Sequence, residues 1–331
     1  MNNIIEVKHL TKRFGDLVAV DDVSFEVVEG EIFGFLGPNG AGKTTTINIL
    51  CTLMRPTFGT AILNGFDVVR QRTQVRKSLG LVFQDPSLDI KLSALQNLEF
   101  HAGVYSIPRD VSKNRIEQIL KMVDLWERRK DTVQNYSGGM RRRLEIARGL
   151  LHYPKVLFLD EPTIGLDPQT RNHIWEHILE LRRRENITIF LTTHYMDEAN
   201  VADRIAIIDH GKIVALNTPE ALKSMVGGDI VTVKTDNAES ALMEIRRKYN
   251  IEAQRDSEGV FFEVRNGEEF IPVLVKDFES GLQSISLRRP TLDDVFVKLT
   301  GHEIREGEGG EAAMRMQWAV RQARGRDGKF H

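Results

Sequence analysis

The stretch Gly37-Pro38-Asn39-Gly40-Ala41-Gly42-Lys43-Thr44 decides the fold, because it fits the phosphate-binding pattern G-x-x-x-x-G-K-[ST]. The apolar run Ile32–Leu36 ahead of it is typical of a buried strand, and residues 45–50 behind it can open a helix. A loop between a strand and a helix N-terminus presents unpaired backbone N–H groups to an anion. Lys43 can reach the β and γ oxygens of a triphosphate, and the Thr44 hydroxyl can bind Mg²⁺.

A second informative stretch is Val156-Leu157-Phe158-Leu159-Asp160-Glu161. Four apolar residues suit a strand buried on both faces of a parallel sheet, and two carboxylates follow at its C-terminal end. Open α/β sheets bind ligands at this edge. We therefore predict that Asp160 holds Mg²⁺ and that Glu161 polarises the attacking water as general base.

The third stretch, Tyr136-Ser137-Gly138-Gly139-Met140, stands directly before a helical pattern at residues 141–151. Ser137 is a natural N-cap, and the two glycines leave the helix N-terminus bare of side chains. The chain therefore has a second helix N-terminus that could bind an anion, besides the one after the phosphate loop. A single triphosphate does not need two such helix ends from one chain. Two chains arranged head to tail would use both, with each chain completing the site of the other.

At this point the chain resembles the ATP-binding cassette family, over roughly residues 4–225. Residues 136–140 resemble the family signature, with Tyr and Met at the ends where Leu and Gln are commonest. Gln84 falls in the place of the Q-loop glutamine, Gly165-Leu166-Asp167 resembles the D-loop, and His194 resembles the switch histidine. Phe14 occupies the place of the aromatic residue that stacks on adenine.

The resemblance implies an ATPase with ATP and Mg²⁺ as its ligands. The implied catalytic residues are Glu161, His194 and Gln84, and the implied magnesium residues are Thr44, Gln84 and Asp160. The implied ATP-binding residues are Phe14, Gly37, Pro38, Asn39, Gly40, Ala41, Gly42, Lys43, Thr44 and Thr45, with Ser137, Gly138 and Gly139 coming from the second copy of the chain.

The predicted fold class is α/β, a P-loop NTPase with an ABC-type core over residues 1–226. Residues 4–29 alternate like the strands of an antiparallel layer, and residues 86–155 read as a helical subdomain. Strand–helix alternation on either side of this insert implies parallel strands joined by crossover helices.

Beyond Gly227-Gly228 the pattern changes to a small α+β domain, predicted over residues 227–301. Segments 229–235, 259–264 and 283–288 read as strands, and 238–249 and 268–280 as helices. The last helix starts with the capping pattern of Thr291 and Asp294. This ending, with residues 136–151, resembles the daunorubicin-resistance branch of the family, which are drug-export ATPases. Residues 302–331 are predicted to be a flexible tail.

The composition of the chain limits the kinds of partner and the cellular compartment that we expect for it. A net charge of −2 over 331 residues gives no bulk reason to bind nucleic acid, and the arginine runs 141–143 and 182–184 are predicted to be solvated helix faces. The single cysteine excludes an internal disulfide and suits a reducing compartment. No apolar run approaches the roughly 20 residues that span a bilayer. We expect a cytoplasmic protein, peripheral on the inner face of the cell membrane, whose pore belongs to a separate permease.

Two other functions stay open on the sequence. One is a soluble ATP-gated protein without a membrane partner, as in the translation-factor and DNA-repair relatives of the family. The former usually join two cassettes and the latter carry a long coiled coil, whereas this sequence shows one cassette and no sustained heptads. The other is an importer, since only the C-terminal domain and the signature variant favour export. A GTPase is unsupported, because Val233-Lys234-Thr235-Asp236 has the wrong first residue for the base-reading motif.

Overall fold

The strand ahead of the phosphate loop lies inside a six-stranded sheet in the computed structural model, which describes residues 2–85, 87–255 and 259–301. The predicted tail, 302–331, lies outside the described residues. The chain forms two compact units, which divide between Leu216 and Asn217.

The first unit combines ten strands with seven helices in its described part. Its strands are β1 (Asn3–Phe14), β2 (Leu17–Val28), β3 (Ile32–Leu36), β4 (Phe58–Leu63), β5 (Phe66–Asp67), β6 (Leu79–Val82), β7 (Val156–Asp160), β8 (Thr188–Thr193), β9 (Arg204–Asp209) and β10 (Lys212–Asn217). Its helices are α1 (Lys43–Leu50), α2 (Arg72–Ser78), α3 (Ala94–Val104), α4 (Arg109–Met122), α5 (Gly138–Leu150), α6 (Pro168–Glu185) and α7 (Met196–Ala199), with a 3-10 turn at Val133–Asn135.

The six-stranded sheet has the order β10-β9-β3-β8-β7-β6, and β9, β3, β8, β7 and β6 pair in parallel. Strands β3, β7 and β8 are buried along their whole length, which explains their almost continuous apolar sequences. Leu36 pairs with Thr193, and Asp160 pairs with Thr192. The ends of three neighbouring strands therefore bring the phosphate loop, Glu161 and His194 to one edge.

A second sheet, antiparallel with the order β2-β1-β4-β5, confirms the predicted antiparallel layer. The rings of Phe25, Phe33, Phe35, Phe158 and Phe190 join this layer to the parallel sheet within one core. Centroid separations of 5.2 to 5.6 Å along these contacts are typical of packed aromatic pairs. The phosphate loop therefore stands on an apolar support.

Helices α3, α4 and α5 occupy the insert between β6 and β7. Ser93 and Gln96 form a capping box that starts α3, and Ser137 caps α5. No helix among the described residues is both long enough and apolar enough to cross a bilayer.

The second unit alternates strands and helices. Its elements are α8 (Pro219–Ser224), β11 (Asp229–Thr235), α9 (Ala238–Tyr249), β12 (Ala253–Arg255), β13 (Val260–Val264), α10 (Gly267–Asp277), β14 (Leu282–Arg288) and α11 (Leu292–Thr300). The antiparallel sheet order β12-β13-β11-β14, with α9 and α10 between the strands, is the split β-α-β arrangement.

Two predictions for this unit need correction. Strand β12 was not expected, because three residues at a sheet edge are too few to show an alternating pattern. The helix predicted at 268–280 ends at Asp277, because Phe278 adopts an extended backbone. The capping pattern is confirmed, since Thr291 and Asp294 form a capping box at α11.

Candidate nucleotide site

The phosphate loop connects the end of β3 to the start of α1. Gly42 has a φ of 106°, and a Cβ there would lie 2.4 Å from the carbonyl oxygen of Ala19. A Cβ on Gly37 would lie 2.2 Å from the carbonyl oxygen of Ile208. No side chain caps the N-terminus of α1, so its first backbone N–H groups remain available to an anion.

Lys43 is buried at the mouth of this loop. Its Nζ donates to the carbonyl oxygens of Gly37 at 2.7 Å and Pro38 at 3.1 Å, and lies 3.3 Å from Oε1 of Glu161. Burial lowers the pKa of Lys43, while the Glu161 and Asp160 carboxylates act in the opposite direction. The ammonium group is therefore held between the loop after β3 and the acidic residue after β7, two strands away in the sheet.

Asp160 ends β7 beside the Thr44 hydroxyl. Its Oδ1 accepts hydrogen bonds from Thr192 Oγ1 at 2.6 Å and Thr44 Oγ1 at 3.4 Å. Burial raises the pKa of Asp160, and the nearby negative charge of Glu161 raises it further. The hydrogen bonds from the two threonine hydroxyls and the positive charge of Lys43 lower the pKa but do not cancel this rise. The donors are a carboxylate and a hydroxyl, which are oxygen ligands of the kind that Mg²⁺ takes, so these residues fit the ion.

Glu161 has a left-handed backbone, with a φ of 46°, which is uncommon outside glycine. Its N–H donates to the carbonyl oxygen and Oγ1 of Thr192, each at 3.1 Å. Its Oε1 lies 3.4 Å from His194 Nδ1, and Gln84 Nε2 donates to its Oε2 at 3.5 Å. Burial alone would raise the pKa of Glu161, but His194 and Lys43 outweigh burial and hold the pKa below its ordinary value. The side chain is therefore a carboxylate that can accept a proton.

Glu198, a residue that sequence reasoning missed, supports this edge from α7. Its carboxylate accepts hydrogen bonds from Thr193 Oγ1 at 2.7 Å and from Thr163 Oγ1. Thr193 precedes His194, and Thr163 lies in the turn that follows Glu161. Glu198 therefore joins the two segments that carry the candidate base and the candidate switch histidine.

The glycine-rich N-terminus of α5 begins at Ser137, whose Oγ accepts a hydrogen bond from the N–H of Met140 at 3.2 Å. A Cβ on Gly139 would lie 2.5 Å from Cγ2 of Thr170, so a glycine is needed where α5 meets α6. These contacts lie outside the Lys43–Asp160–Glu161 cluster. Phe14 is also placed outside it, half-buried at the end of β1 with Lys12 Nζ 5.1 Å from its ring centroid.

Comparison with known proteins decides the family. A family model described as ABC transporter matches residues 20–164. The daunorubicin resistance ATP-binding protein DrrA3 of Streptomyces coeruleorubidus is 39% identical over 310 residues, which cover 92% of this chain and 98% of that protein. This chain belongs to the ABC transporter family. The resemblance to the daunorubicin-resistance ATP-binding proteins is thereby confirmed.

Solved structures confirm the P-loop ABC cassette fold. The structure of cbiO1 from Clostridium perfringens, described as part of the ABC transporter complex cbiONQ, has a TM-score of 0.64 and 25% identity, covering 76% of this chain and 97% of that one. The ABC cassette MJ0796, a dimer in a post-hydrolysis state with ADP and Pi, has a TM-score of 0.58 and 28% identity, covering 65% of this chain and 98% of its own.

One prediction about the cassette is wrong. Residues 141–143 were expected to be a solvated helix face, but Arg142 is only 7% exposed. Its guanidinium group points to backbone carbonyl groups of the site, because these carbonyls lie where the strands end and need donors. The available signal was Glu145, three residues along the same helix, which pairs with Arg142 at 3.0 Å.

Proposed function

We propose that this ABC cassette hydrolyses ATP to ADP and phosphate and so powers a separate membrane permease that exports drugs or other hydrophobic compounds. The observation that carries the proposal is the contact of Glu161 with Lys43, His194 and Gln84 at the mouth of the phosphate loop. Export is supported by the 39% identity to a daunorubicin resistance protein along almost the whole of both chains.

In the proposed reaction, the triphosphate lies along residues Gly37 to Thr45 and Lys43 turns from Glu161 to the phosphate oxygens. Thr44, Asp160 and Gln84 would hold Mg²⁺, which when bound supplies positive charge to the phosphates. Glu161 accepts the proton of the attacking water, and His194 keeps the carboxylate in position. Positioning and charge neutralisation supply most of the catalysis of phosphoryl transfer.

The proposed active form is a dimer of cassettes. Ser137, Gly138 and Gly139 of one copy would face the ATP that is held by the other, and Phe14 would stack on the adenine. Two features support this arrangement: the uncapped N-terminus of α1 and the glycine-rich N-terminus of α5 are separate in one chain, and each could receive an anion. The related cassette MJ0796 is a dimer with ADP and Pi.

The proposed location is the inner face of the cell membrane, on the cytoplasmic side. The related cbiO1 protein is described as part of a transporter complex. A permease supplied by another chain suits the lack of a membrane-crossing helix among the described residues. Of the two rival proposals, a soluble ATP-gated protein would need no membrane partner, whereas an importer would need a permease as an exporter does.

Affinity purification from detergent-solubilised membranes of the native cell tests the proposal. We would use full-length Glu161→Gln protein with Mg-ATP, and Lys43→Ala/Glu161→Gln as the matched control. We expect a polytopic membrane protein near one-to-one with both variants, and a second tightly held cassette only with the first. Recovery of only soluble partners, ribosomes or DNA would overturn the transport proposal and leave the ATPase proposal standing.

A further inference from the structure

Arg142 lies near the start of α5 and uses all five of its N–H donors. Nε donates to the carbonyl oxygen of Pro162 at 2.5 Å, and one terminal nitrogen donates to the carbonyl oxygen of Phe83 at 2.6 Å and to Glu145 Oε2 at 3.0 Å. The other donates to the carbonyl oxygens of Asp160 and Glu161, both at 3.2 Å. A planar guanidinium group offers five donors in a fixed fork, so this arrangement saturates it.

The four carbonyl groups belong to the two segments that carry the candidate catalytic side chains. Phe83 directly precedes Gln84, and the other three carbonyl groups run through the end of β7 at residues 160–162. Strands β6 and β7 are parallel neighbours, with Val82 opposite Leu159. Arg142 therefore bridges the ends of two adjacent strands from a third element, α5.

Glu145 extends this bridge to the segment after Gln84. Besides its contact with Arg142, its Oε1 accepts a hydrogen bond from the N–H of Ser87 at 2.8 Å. Arg148, one turn further along α5, donates to the carbonyl oxygen of Ser87 at 2.8 Å. The helix that begins at Ser137 is thus tied to both sides of Gln84 and to the backbone of Glu161.

We propose that Arg142, held by Glu145, is a positioning residue that fixes the left-handed backbone of Glu161 and the approach of Gln84 to it. A non-glycine residue keeps such a backbone only when its surroundings impose it. Thr192 holds the N–H of Glu161 and Arg142 holds its carbonyl group, so the residue is fixed on both sides. The inference rests on the proposed ATPase function, and it gives α5 a part in aligning the base.

A buried arginine–glutamate pair elsewhere in the cassette provides a matched comparison. Arg115 is 3% exposed, and its terminal nitrogens donate to both oxygens of Glu185 at 2.9 Å. It also donates to the carbonyl oxygen of Leu150. This pair joins α4 to α6 and contacts none of the candidate catalytic segments.

The test compares Arg142→Lys with Arg115→Lys in the full-length protein. Lysine keeps the charge but cannot reproduce the planar five-donor fork. For Arg142→Lys we expect the kcat for ATP hydrolysis to fall at least tenfold, with the Kd for ATP within twofold of the parent. For Arg115→Lys we expect both values within twofold, whatever the change in unfolding temperature. Glu145→Gln should lower kcat about threefold, and adding it to Arg142→Lys should lower kcat no further.

An Arg142→Lys protein with a kcat within twofold of the parent would overturn the inference, as would equal losses in both lysine variants. If Arg142→Lys does not fold, Glu145→Gln decides: a lower kcat at unchanged ATP affinity supports positioning, and an unchanged kcat refutes it. Failure of the proposed function looks different. In that case the parent protein and Glu161→Gln hydrolyse ATP at the same negligible rate.

Discussion

Glu161 at the phosphate loop and Glu244 in the C-terminal unit are both buried glutamates, but their partners hold them differently. Glu161 meets Lys43, His194 and Gln84 at 3.3 to 3.5 Å. Glu244 accepts hydrogen bonds from the N–H groups of Glu279 and Ser280, from the Ser280 hydroxyl and from Lys248, all between 2.5 and 2.9 Å.

The difference separates the candidate base, Glu161, from a structural carboxylate, Glu244. Burial would raise the pKa of Glu244, but Lys248, Ser280 and the N–H of Glu279 outweigh burial and lower the pKa to about 2. The short hydrogen bonds of Glu244 occupy both of its carboxylate oxygens. The longer contacts of Glu161 also favour the carboxylate, yet they leave it able to take a proton from water. Low exposure alone therefore does not identify a catalytic acid or base.

Glu161→Gln is expected to have the largest effect on catalysis. Removing the proposed general base should lower the steady-state kcat by about 100-fold or more, because positioned proton transfer contributes that much. The temperature of unfolding should not fall, since no short hydrogen bond of the side chain is lost. Steady-state ATPase and thermal unfolding measure the two effects, and full retained turnover would remove Glu161 from the role of base.

Glu244→Gln should show the opposite pattern. The glutamine amide replaces an acceptor with a donor facing N–H groups, so we expect the C-terminal unit to lose about 2 kcal/mol of stability. The kcat should stay within twofold of the parent. Hydrogen exchange of the β11 and β13 amides reports this unit directly. Unchanged exchange would mean that the short bonds of Glu244 contribute little.

Each of the two glutamates has a lysine partner, Lys43 for Glu161 and Lys248 for Glu244, and replacing these lysines extends the comparison. Lys43→Ala should weaken ATP binding about tenfold, which corresponds to about 1.4 kcal/mol, because the loop loses its buried cation. Lys248→Ala, which removes the partner of Glu244, should leave ATP affinity unchanged. Equilibrium binding of ATP to both variants and the parent is the measurement. Equal weakening in the two would show that removal of any lysine disturbs the protein generally.

The smallest expected effect is a pH dependence of the contribution that Glu244 makes to the stability of the C-terminal unit. Because the folded pKa of Glu244 lies below its ordinary value of 4.5, its stabilisation is fully present above pH 4.5 and is lost as pH falls towards 2. The difference in hydrogen exchange between the parent and Glu244→Gln should therefore shrink across that interval. A difference that stays constant from pH 5 to pH 3 would contradict the assigned pKa.

The parts of the site that sequence predicted are those that local pattern determines. The phosphate loop lies between β3 and α1, and the strand ending at Asp160 follows from four apolar residues before two acids. Parallel pairing of strands then places Glu161 and His194 at one edge. None of these steps requires knowledge of how distant helices pack.

The parts that sequence did not predict depend on tertiary packing. The burial of Arg142 is set by where the ends of β6 and β7 lie against α5; Glu145, three residues further on, indicates an ion pair on this helix but not that the pair is buried. Glu198 looks like an ordinary helix acid until Thr163 and Thr193 are seen to share it. In both cases some of the decisive partners are distant in sequence: backbone carbonyl groups at residues 160–162 for Arg142, and the Thr163 hydroxyl for Glu198.

The backbone of Glu161 is a place where the proposed function would cost the fold stability. A glycine would adopt a φ of 46° without strain, and an asparagine with little, so stability alone favours either residue at this position. Neither residue has a carboxylate, so neither could accept a proton as glutamate can. The glutamate is therefore a local exception to the rule that residues suit their own backbone, which is the usual form of a stability–activity trade-off.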